Sequence, residues 1–265
     1  MMRASLGGEL FQRTRVSFPT SSVIFAVMYA VPLVADPSTA ASSTAGHLAT
    51  RVHQADAQRF SGLGTVTSNR RYVLRNNRWA TPAIMHARMI STPGHAKRFE
   101  IVSMEHAGVL QKRVFKQVLE GEVAMSVKQL TSKSSETDTS VSAGNYDFAL
   151  LGHELVDGRQ CAVLQLNPKR KSKYLIKGKA WVDIEAAAIL RVEGQTAASI
   201  SFWIGKPLVT QSYRKVDEVW LPSSNRSVSD VRFLGDTEMT IEYLTYTIAP
   251  SSVKAAGAYT RPRAE

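Results

Sequence analysis

The feature that most constrains this chain is the alternation of side chains between two faces over its second half, from Tyr146 to Tyr246. Its clearest stretch runs from Lys179 to Asp183, turns, and resumes from Ile189 to Gly194, which is the pattern of an antiparallel hairpin. No cluster of residues suited to catalysis interrupts this alternation. The pattern therefore predicts an α+β protein, mainly antiparallel β, whose sheet acts as a container or a platform.

Turn residues and period-2 alternation predict a curved sheet of about ten strands. Asp157-Gly158 is expected to form a tight hairpin turn, and Pro222 to mark an edge or a bulge. The segments with strand pattern are Tyr72–Leu74, Ala83–Ile90, Phe99–Met104, Phe148–Val156, Gln160–Leu166, Tyr174–Ile176, the two hairpin segments above, Ser199–Ile204, Val209–Val216, Val219–Ser229 and Glu238–Thr247.

Two or three helices are expected to cover this sheet. The strongest helical pattern runs from Val109 to Ala124, with an apolar stripe opposite a face of Lys, Arg and Gln. The stripe consists of Leu110, Val114, Phe115, Val118 and Leu119. A shorter amphipathic helix is predicted from His47 to Phe60, with Leu48 and Val52 on its apolar side.

The N-terminal 35 residues have the layout of a secretory signal peptide: arginines, then an apolar run from Val23 to Ala35 that is too short to span a bilayer. Cleavage is expected after Ala35 or Ala40, and a membrane anchor is the alternative. Residues 36–46 are predicted to be a flexible linker, residues 47–250 one domain, and residues 251–265 a disordered tail. Export is expected to place the mature protein outside the cytoplasm.

Charge and cysteine content limit the partners. There are 33 Lys and Arg against 22 Asp and Glu, which gives a net charge of +11. A basic exported protein is attracted to anionic surfaces, and nucleic acid is a poor candidate outside the cytoplasm. The lone Cys161 forms no disulfide within the chain, so a buried core must hold the fold. The densest basic cluster contains Lys169, Arg170, Lys171 and Lys173, and it is either a solvated turn or a contact for a membrane surface or an acidic partner.

The sequence offers no recognisable catalytic centre. A Gly-x-Ser-x-Gly nucleophile elbow is missing, and His86, His95 and His106 are scattered over separate elements. Glu120 and Glu122 have the spacing of polar residues at a helix end rather than of a catalytic pair. We therefore expect a protein that is not an enzyme, with no catalytic residues, no metal and no cofactor.

Aromatic residues in the predicted strands are the candidates for a cavity lining. Trp181, Phe202, Trp203 and Tyr213 could line a cavity for lipid chains, together with Leu110, Val114, Phe115 and Val118 of the helix stripe. The same aromatic residues could equally form an ordinary core beneath the helices. Alternation separates Trp181 from Val182 but leaves open which of them faces inward.

Several short motifs in order along the chain resemble the LolA-like outer-membrane lipoprotein-sorting proteins. They include Val156-Asp157-Gly158-Arg159, Pro168 to Tyr174, Trp181-Val182-Asp183, Arg191-Val192-Glu193-Gly194 and Ser201-Phe202-Trp203, and the resemblance extends from His47 to Tyr246. It implies an incomplete β-barrel around a helical lid, enclosing an apolar cavity for acyl chains.

The resemblance implies a monomeric periplasmic carrier or chaperone. It would bind the acyl chains of a lipoprotein or a lipid and contact a membrane or a membrane protein transiently. The alternative is a non-enzymatic envelope module that binds a protein or an anionic polysaccharide through the sheet or the basic cluster.

Overall fold

The computed structural model describes residues 37–132, 138–201, 204–232 and 235–250, with side chains described from residue 44. The predicted signal peptide and C-terminal tail lie outside these residues. Two helices and ten strands follow one another along the chain. They are α1 (Pro37–Ser61), β1 (Leu63–Asn76), β2 (Ala83–Ser91), β3 (Arg98–Glu105), α2 (Val109–Thr131), β4 (Tyr146–Val156), β5 (Arg159–Pro168), β6 (Ile176–Asp183), β7 (Ala188–Thr196), β8 (Leu208–Val216), β9 (Val219–Val231) and β10 (Gly235–Pro250).

All ten strands form one curved antiparallel sheet in the order β3-β2-β1-β10-β9-β8-β7-β6-β5-β4. Every neighbour along this order is also a neighbour in sequence, except that the long strand β10 returns to pair with β1. The edge strands β3 and β4 do not pair with each other, so the sheet stays open. The predicted class, an incomplete barrel of about ten antiparallel strands with helices, is confirmed.

Local turn chemistry is also as predicted. Asp157 and Gly158 have φ angles of 50° and 75°, which closes the tight β4–β5 turn between Val156 and Arg159. At Pro222 the β8–β9 register shifts, since Ser212 pairs with Ser224 but Tyr213 pairs with Pro222. Pro222 therefore lies at a bulge, where its missing N–H does no harm.

Each helix covers a different half of the sheet. Ala45, Ala49 and Val52 of α1 are buried against strands β4 to β7. Arg51 and Arg59 of α1 donate hydrogen bonds to carbonyl oxygens of the β6–β7 turn. The buried residues of this first core are Ala45, Ala49, Val52, Tyr146, Phe148, Ala162, Leu164, Leu166, Leu175, Ala180, Val182 and Val192.

Phe115 and Leu119 of α2 are buried against β1, β2 and β10 on the other half of the sheet. The buried residues of this second core are Tyr72, Leu74, Ala83, Met85, Ala87, Phe115, Leu119, Ile241 and Tyr243. Two helix-covered cores on one sheet leave a seam between them, and the candidate site lies there.

Both helices are longer than the sequence predicted. α1 begins at Pro37 instead of His47, so the segment expected to be a flexible linker is helical from Pro37 onward. Proline is favoured at a first helical position, alanine is the best helix former, and Ala45 packs against the sheet. α2 continues past Ala124 to Thr131, and the hydroxyl of Ser126 accepts a hydrogen bond from the Lys97 amide near β3. In the described ranges, neither helix is long and apolar enough to cross a membrane.

Two predicted strands are wrong. Tyr174 lies in a turn, and only Ile176 of the Tyr174–Ile176 segment belongs to a strand. Residues 199–201 form no strand, and Ile204 makes only an isolated bridge to Val231. The Ser201 amide donates to the Ile204 carbonyl, which closes a loop between β7 and β8 instead of extending the sheet.

Candidate functional site

Two adjoining cavities lie at the seam between the helix-covered halves. The first, called here the α2-side cavity, has a volume of about 390 Å³. Its lining is Phe60, Leu63, Gly64, Val66, Arg70, Met89, Ser91, Pro93, Lys97, Glu122, Leu221, Pro222, Tyr243 and Tyr246. Most of this lining is apolar or aromatic, and its charged residues are Arg70, Lys97 and Glu122.

The second, called here the α1-side cavity, has a volume of about 430 Å³. Its lining is Val52, His53, Asp56, Ala57, Phe60, Thr139, Ser140, Val141, Ile189, Tyr213, Trp220 and Pro222. Phe60 and Pro222 line both cavities, so the two spaces are adjacent where α1 ends and β9 bulges. The Phe60 side chain is 44% exposed, which places an apolar ring at the opening instead of in the core.

A buried ion pair lies at the wall of the α2-side cavity. Arg70 of β1 is 4% exposed, and its Nη1 donates to both carboxylate oxygens of Glu122 on α2, each at 3.1 Å. The Lys97 Nζ lies 3.6 Å from the same carboxylate. Among the described residues, the Arg70 Nε is buried without a hydrogen-bond partner. This cluster ties α2 to the sheet and leaves one buried donor unused.

Aromatic rings complete the surroundings of Arg70. Its guanidinium lies 4.7 Å from the centre of the Tyr243 ring and 5.5 Å from that of Phe99. Burial disfavours the Arg70 cation, but Glu122 together with the Tyr243 and Tyr72 phenols outweighs it, so the Arg70 pKa lies above its ordinary value. Burial also raises the pKa of Tyr72 and of Tyr246 to about 12, so both phenols are neutral at physiological pH.

The α1-side cavity contains a second pair of perturbed groups. Burial raises the pKa of Tyr213 to about 12, with a further contribution from the Asp56 carboxylate. Burial also raises the pKa of Asp56, although Arg59 on the same helix donates to it at 3.1 Å and opposes the change. The polar groups here are few, and the remaining lining is mostly apolar.

The predicted helix residues fill space instead of enclosing a cavity. Phe115 is completely buried, and Val114 and Val118 pack beside it in the second core. Leu110 is 43% exposed and lies outside that core. None of these four residues lines either seam cavity. The apolar stripe of α2 was identified correctly, but its main contact is the sheet itself.

The predicted aromatic residues are spread over several places. Tyr213 lines the α1-side cavity. Trp181 belongs to a third cluster with Cys161, Val163 and Leu190, on the opposite face of β6 from Ala180 and Val182, which pack under α1. There the Trp181 indole donates to Glu154 at 2.7 Å. Trp181 therefore does not line the seam cavities. Phe202 and Trp203 lie outside the described residues.

Three of the four predicted basic residues line a separate depression of about 670 Å³, called here the basic basin. Lys169, Arg170 and Lys171 share it with Lys177 of β6 and Lys206 of the β7–β8 loop. The fourth, Lys173, lies outside the basin lining, and its Nζ is 5.2 Å from the centre of the Tyr174 ring. Tyr174 is itself 40% exposed.

The charged residues of the α2-side cavity, Arg70, Lys97 and Glu122, are not among the site residues predicted from the sequence. A signal for Arg70 existed, because Arg70, Tyr72 and Leu74 share one face of a strand by period-2 alternation, and an apolar face implies burial. The spacing of Glu122 is that of a polar residue at a helix end, and nothing in it indicates its partner. In the described part of the chain, no group of three or more His, Cys, Asp or Glu residues could hold a metal ion.

Comparison with known proteins finds only distant likenesses. A protein-family profile described as "Uncharacterized protein" matches residues 128–253, and no curated protein sequence matches the chain.

Several solved structures are similar over most of the chain, and three of them are described here. A LolA superfamily protein from Nitrosomonas europaea has 16% identity and a TM-score of 0.43, covering 79% of this chain and 96% of its own. A domain described as an outer-membrane lipoprotein-sorting protein domain, from Vibrio parahaemolyticus, has 12% identity, a TM-score of 0.42, and coverage of 78% and 93%. A DUF1329 family protein from Desulfovibrio piger has 13% identity, a TM-score of 0.40, and coverage of 78% and 92%. At these values the function has to be argued from the chain's own residues.

Proposed function

We propose that this protein is a non-enzymatic carrier of the cell envelope that shields an acyl chain in the two seam cavities. The observation that carries the proposal is the pair of adjacent cavities of about 390 and 430 Å³, which share Phe60 and Pro222 as lining residues. Each has the volume of a typical small-ligand site, and each is lined mainly by apolar and aromatic side chains with a few polar groups.

The energetics suit a chain that is held and then released. Each methylene removed from water contributes about 0.8 kcal/mol, so ten methylenes contribute roughly 8 kcal/mol before the cost of ordering the chain. No covalent step is needed for uptake or release. The predicted signal peptide is consistent with work in the cell envelope.

Lipid extraction from protein isolated from its native host tests the proposal. We expect acyl lipids in the extract, and binding of a neutral acyl probe to the lipid-stripped protein. Ala57→Trp places an indole in the α1-side cavity and should weaken binding of a long-chain probe at least tenfold.

Gln58→Trp is the matched control, because Gln58 is exposed on the same helix and lines neither cavity. It should bind the probe as the unchanged protein does. A protein that carries no acyl lipid and binds no acyl probe would contradict the carrier function.

The basic basin favours a second candidate function, attachment to an anionic surface of the envelope. Lysines from three separate segments, Lys171, Lys177 and Lys206, converge there without an ion-pair partner among the described residues. Such a basin concentrates positive potential and attracts polyanions such as acidic polysaccharide.

Charge reversal at Lys171, Lys177 and Lys206 should abolish this attachment but leave acyl-probe binding unchanged. Lys169 and Arg170 are poorer targets, because Lys169 pairs with Asp147 and Arg170 donates to Asn145. Attachment that survives the triple reversal would rule out the basin.

A further inference from the structure

The charges at the wall of the α2-side cavity are unbalanced. Arg70 and Lys97 bring two positive charges against the single negative charge of Glu122. The neighbouring phenols of Tyr72 and Tyr246 stay neutral. A further positive group is close to these rings, since the Arg214 guanidinium lies 5.8 Å from the centre of the Tyr246 ring.

The hydrogen bonds of Arg70 also leave room for a negatively charged acceptor, because not all of its N–H donors have one. Among the described residues, Nη1 is its only nitrogen with hydrogen-bond acceptors, namely the Glu122 carboxylate and the Tyr72 hydroxyl. Nε is buried without an acceptor. A buried donor without an acceptor costs free energy. Arg70, which carries this donor, lines the α2-side cavity. An acceptor supplied by a ligand would recover that cost.

We propose that the occupant of the α2-side cavity is an anionic single-chain amphiphile, such as an ionised fatty acid, whose acidic head group meets Arg70 and Lys97. Its chain would lie along the apolar wall towards Phe60 and Pro222, where the α1-side cavity begins. The proposal rests on the carrier function above and adds the chemical class of the ligand. A neutral ester or alcohol head group would leave the excess positive charge unpaired.

The test compares dodecanoic acid with dodecanol as competitors against the neutral fluorescent probe N-phenyl-1-naphthylamine, with the full chain at pH 8. The two competitors share a chain length and differ in head-group charge. We expect the acid to displace the probe at a concentration at least tenfold lower than the alcohol.

Two variants locate the effect. Lys97→Gln removes one positive charge at a partly exposed position and should reduce the preference for acid severalfold. Arg70→Gln should abolish the preference if the variant folds. Lys215→Gln is the matched control, because Lys215 is exposed, pairs with Glu218 and lines neither seam cavity. It should keep the full preference.

The outcomes separate this inference from the proposed function. Equal displacement by acid and alcohol would overturn the inference and leave the carrier function standing. A preference for acid that Lys97→Gln leaves unchanged would also overturn it, since the acidic head would then bind elsewhere. If neither compound displaced the probe, both the proposed function and this inference would be contradicted.

Discussion

Replacing Glu122 with leucine removes the carboxylate that neutralises a deeply buried arginine. Arg70 is 4% exposed and its Nη1 bonds to Glu122 at 3.1 Å. Removing one partner of a buried ion pair costs about 3–5 kcal/mol, because the other charge is left buried and uncompensated. The Glu122 side chain is itself 26% exposed, so we expect the lower end of this range, about 3 kcal/mol.

The reverse deletion should cost less. Arg70→Met leaves Glu122 partly exposed and 3.6 Å from Lys97, so its charge keeps both water and a partner. We expect a loss of about 1–2 kcal/mol, and a double variant that is more stable than the sum of the single losses by about 2 kcal/mol.

Urea unfolding followed by circular dichroism measures these differences, provided that the m-value is unchanged. Glu120→Leu is the control on the same helix, since Glu120 is 61% exposed and pairs with Lys116 only across one helical turn. It should change stability by less than about 0.5 kcal/mol. Equal losses for the Glu120 and Glu122 variants, or strict additivity in the double variant, would refute the reasoning.

Three further predictions concern pH and packing. Burial alone would raise the pKa of Asp183, but hydrogen bonds from the Ala186 amide and from Arg159 lower it. The ionised Asp183 carboxylate therefore stabilises the fold above about pH 4, and this stabilisation is lost at lower pH. Asp183→Asn should therefore cost about 1–2 kcal/mol at pH 7, with the difference from the unchanged protein shrinking below pH 4 in pH-dependent urea titrations. Burial raises the pKa of Tyr213 to about 12, so stability is lost as the pH rises above about 10. The Tyr213→Phe variant should therefore resist alkaline unfolding better than the unchanged protein. Equal midpoints of alkaline unfolding for the two proteins would contradict this. Gly178→Ala should destabilise the protein by at least about 2 kcal/mol, because the new Cβ would lie 2.0 Å from the Glu193 carbonyl oxygen. Gly121→Ala in α2 is the control, because its Cβ would meet nothing within 4 Å. It should stabilise the protein by about 0.5–1 kcal/mol, and thermal melts measure both changes.

Features that depend on residues adjacent in sequence were predictable from the sequence. The Asp157-Gly158 turn follows from backbone conformation, and the bulge at Pro222 follows from a missing N–H. The start of β1 was missed because Arg70 and Arg71 interrupt the apolar pattern. Pairing with β2 on one side and with β10, far away in sequence, on the other shows that the strand continues through them.

The candidate site depends on contacts that a local pattern does not contain. Alternation correctly separated Trp181 from Val182, but the inner face is the one that α1 covers, and nothing in the hairpin specifies where α1 packs. The apolar stripe of α2 indicated contact with the sheet. The sequence pattern of such a stripe is the same whether its side chains pack into a core or line a cavity. The cavities arise where two separate cores leave a seam, which is a property of the assembled fold.

Photo-crosslinking of a diazirine-bearing fatty acid, followed by mass-spectrometric mapping, tests most directly where an acyl chain is held. We expect labels on the C-terminal half of α1 around Ala57 and Phe60, on the start of β1, and near Pro222 and Tyr246. Labels confined to the face around Trp181 or to the basic basin, or spread evenly over the surface, would contradict it.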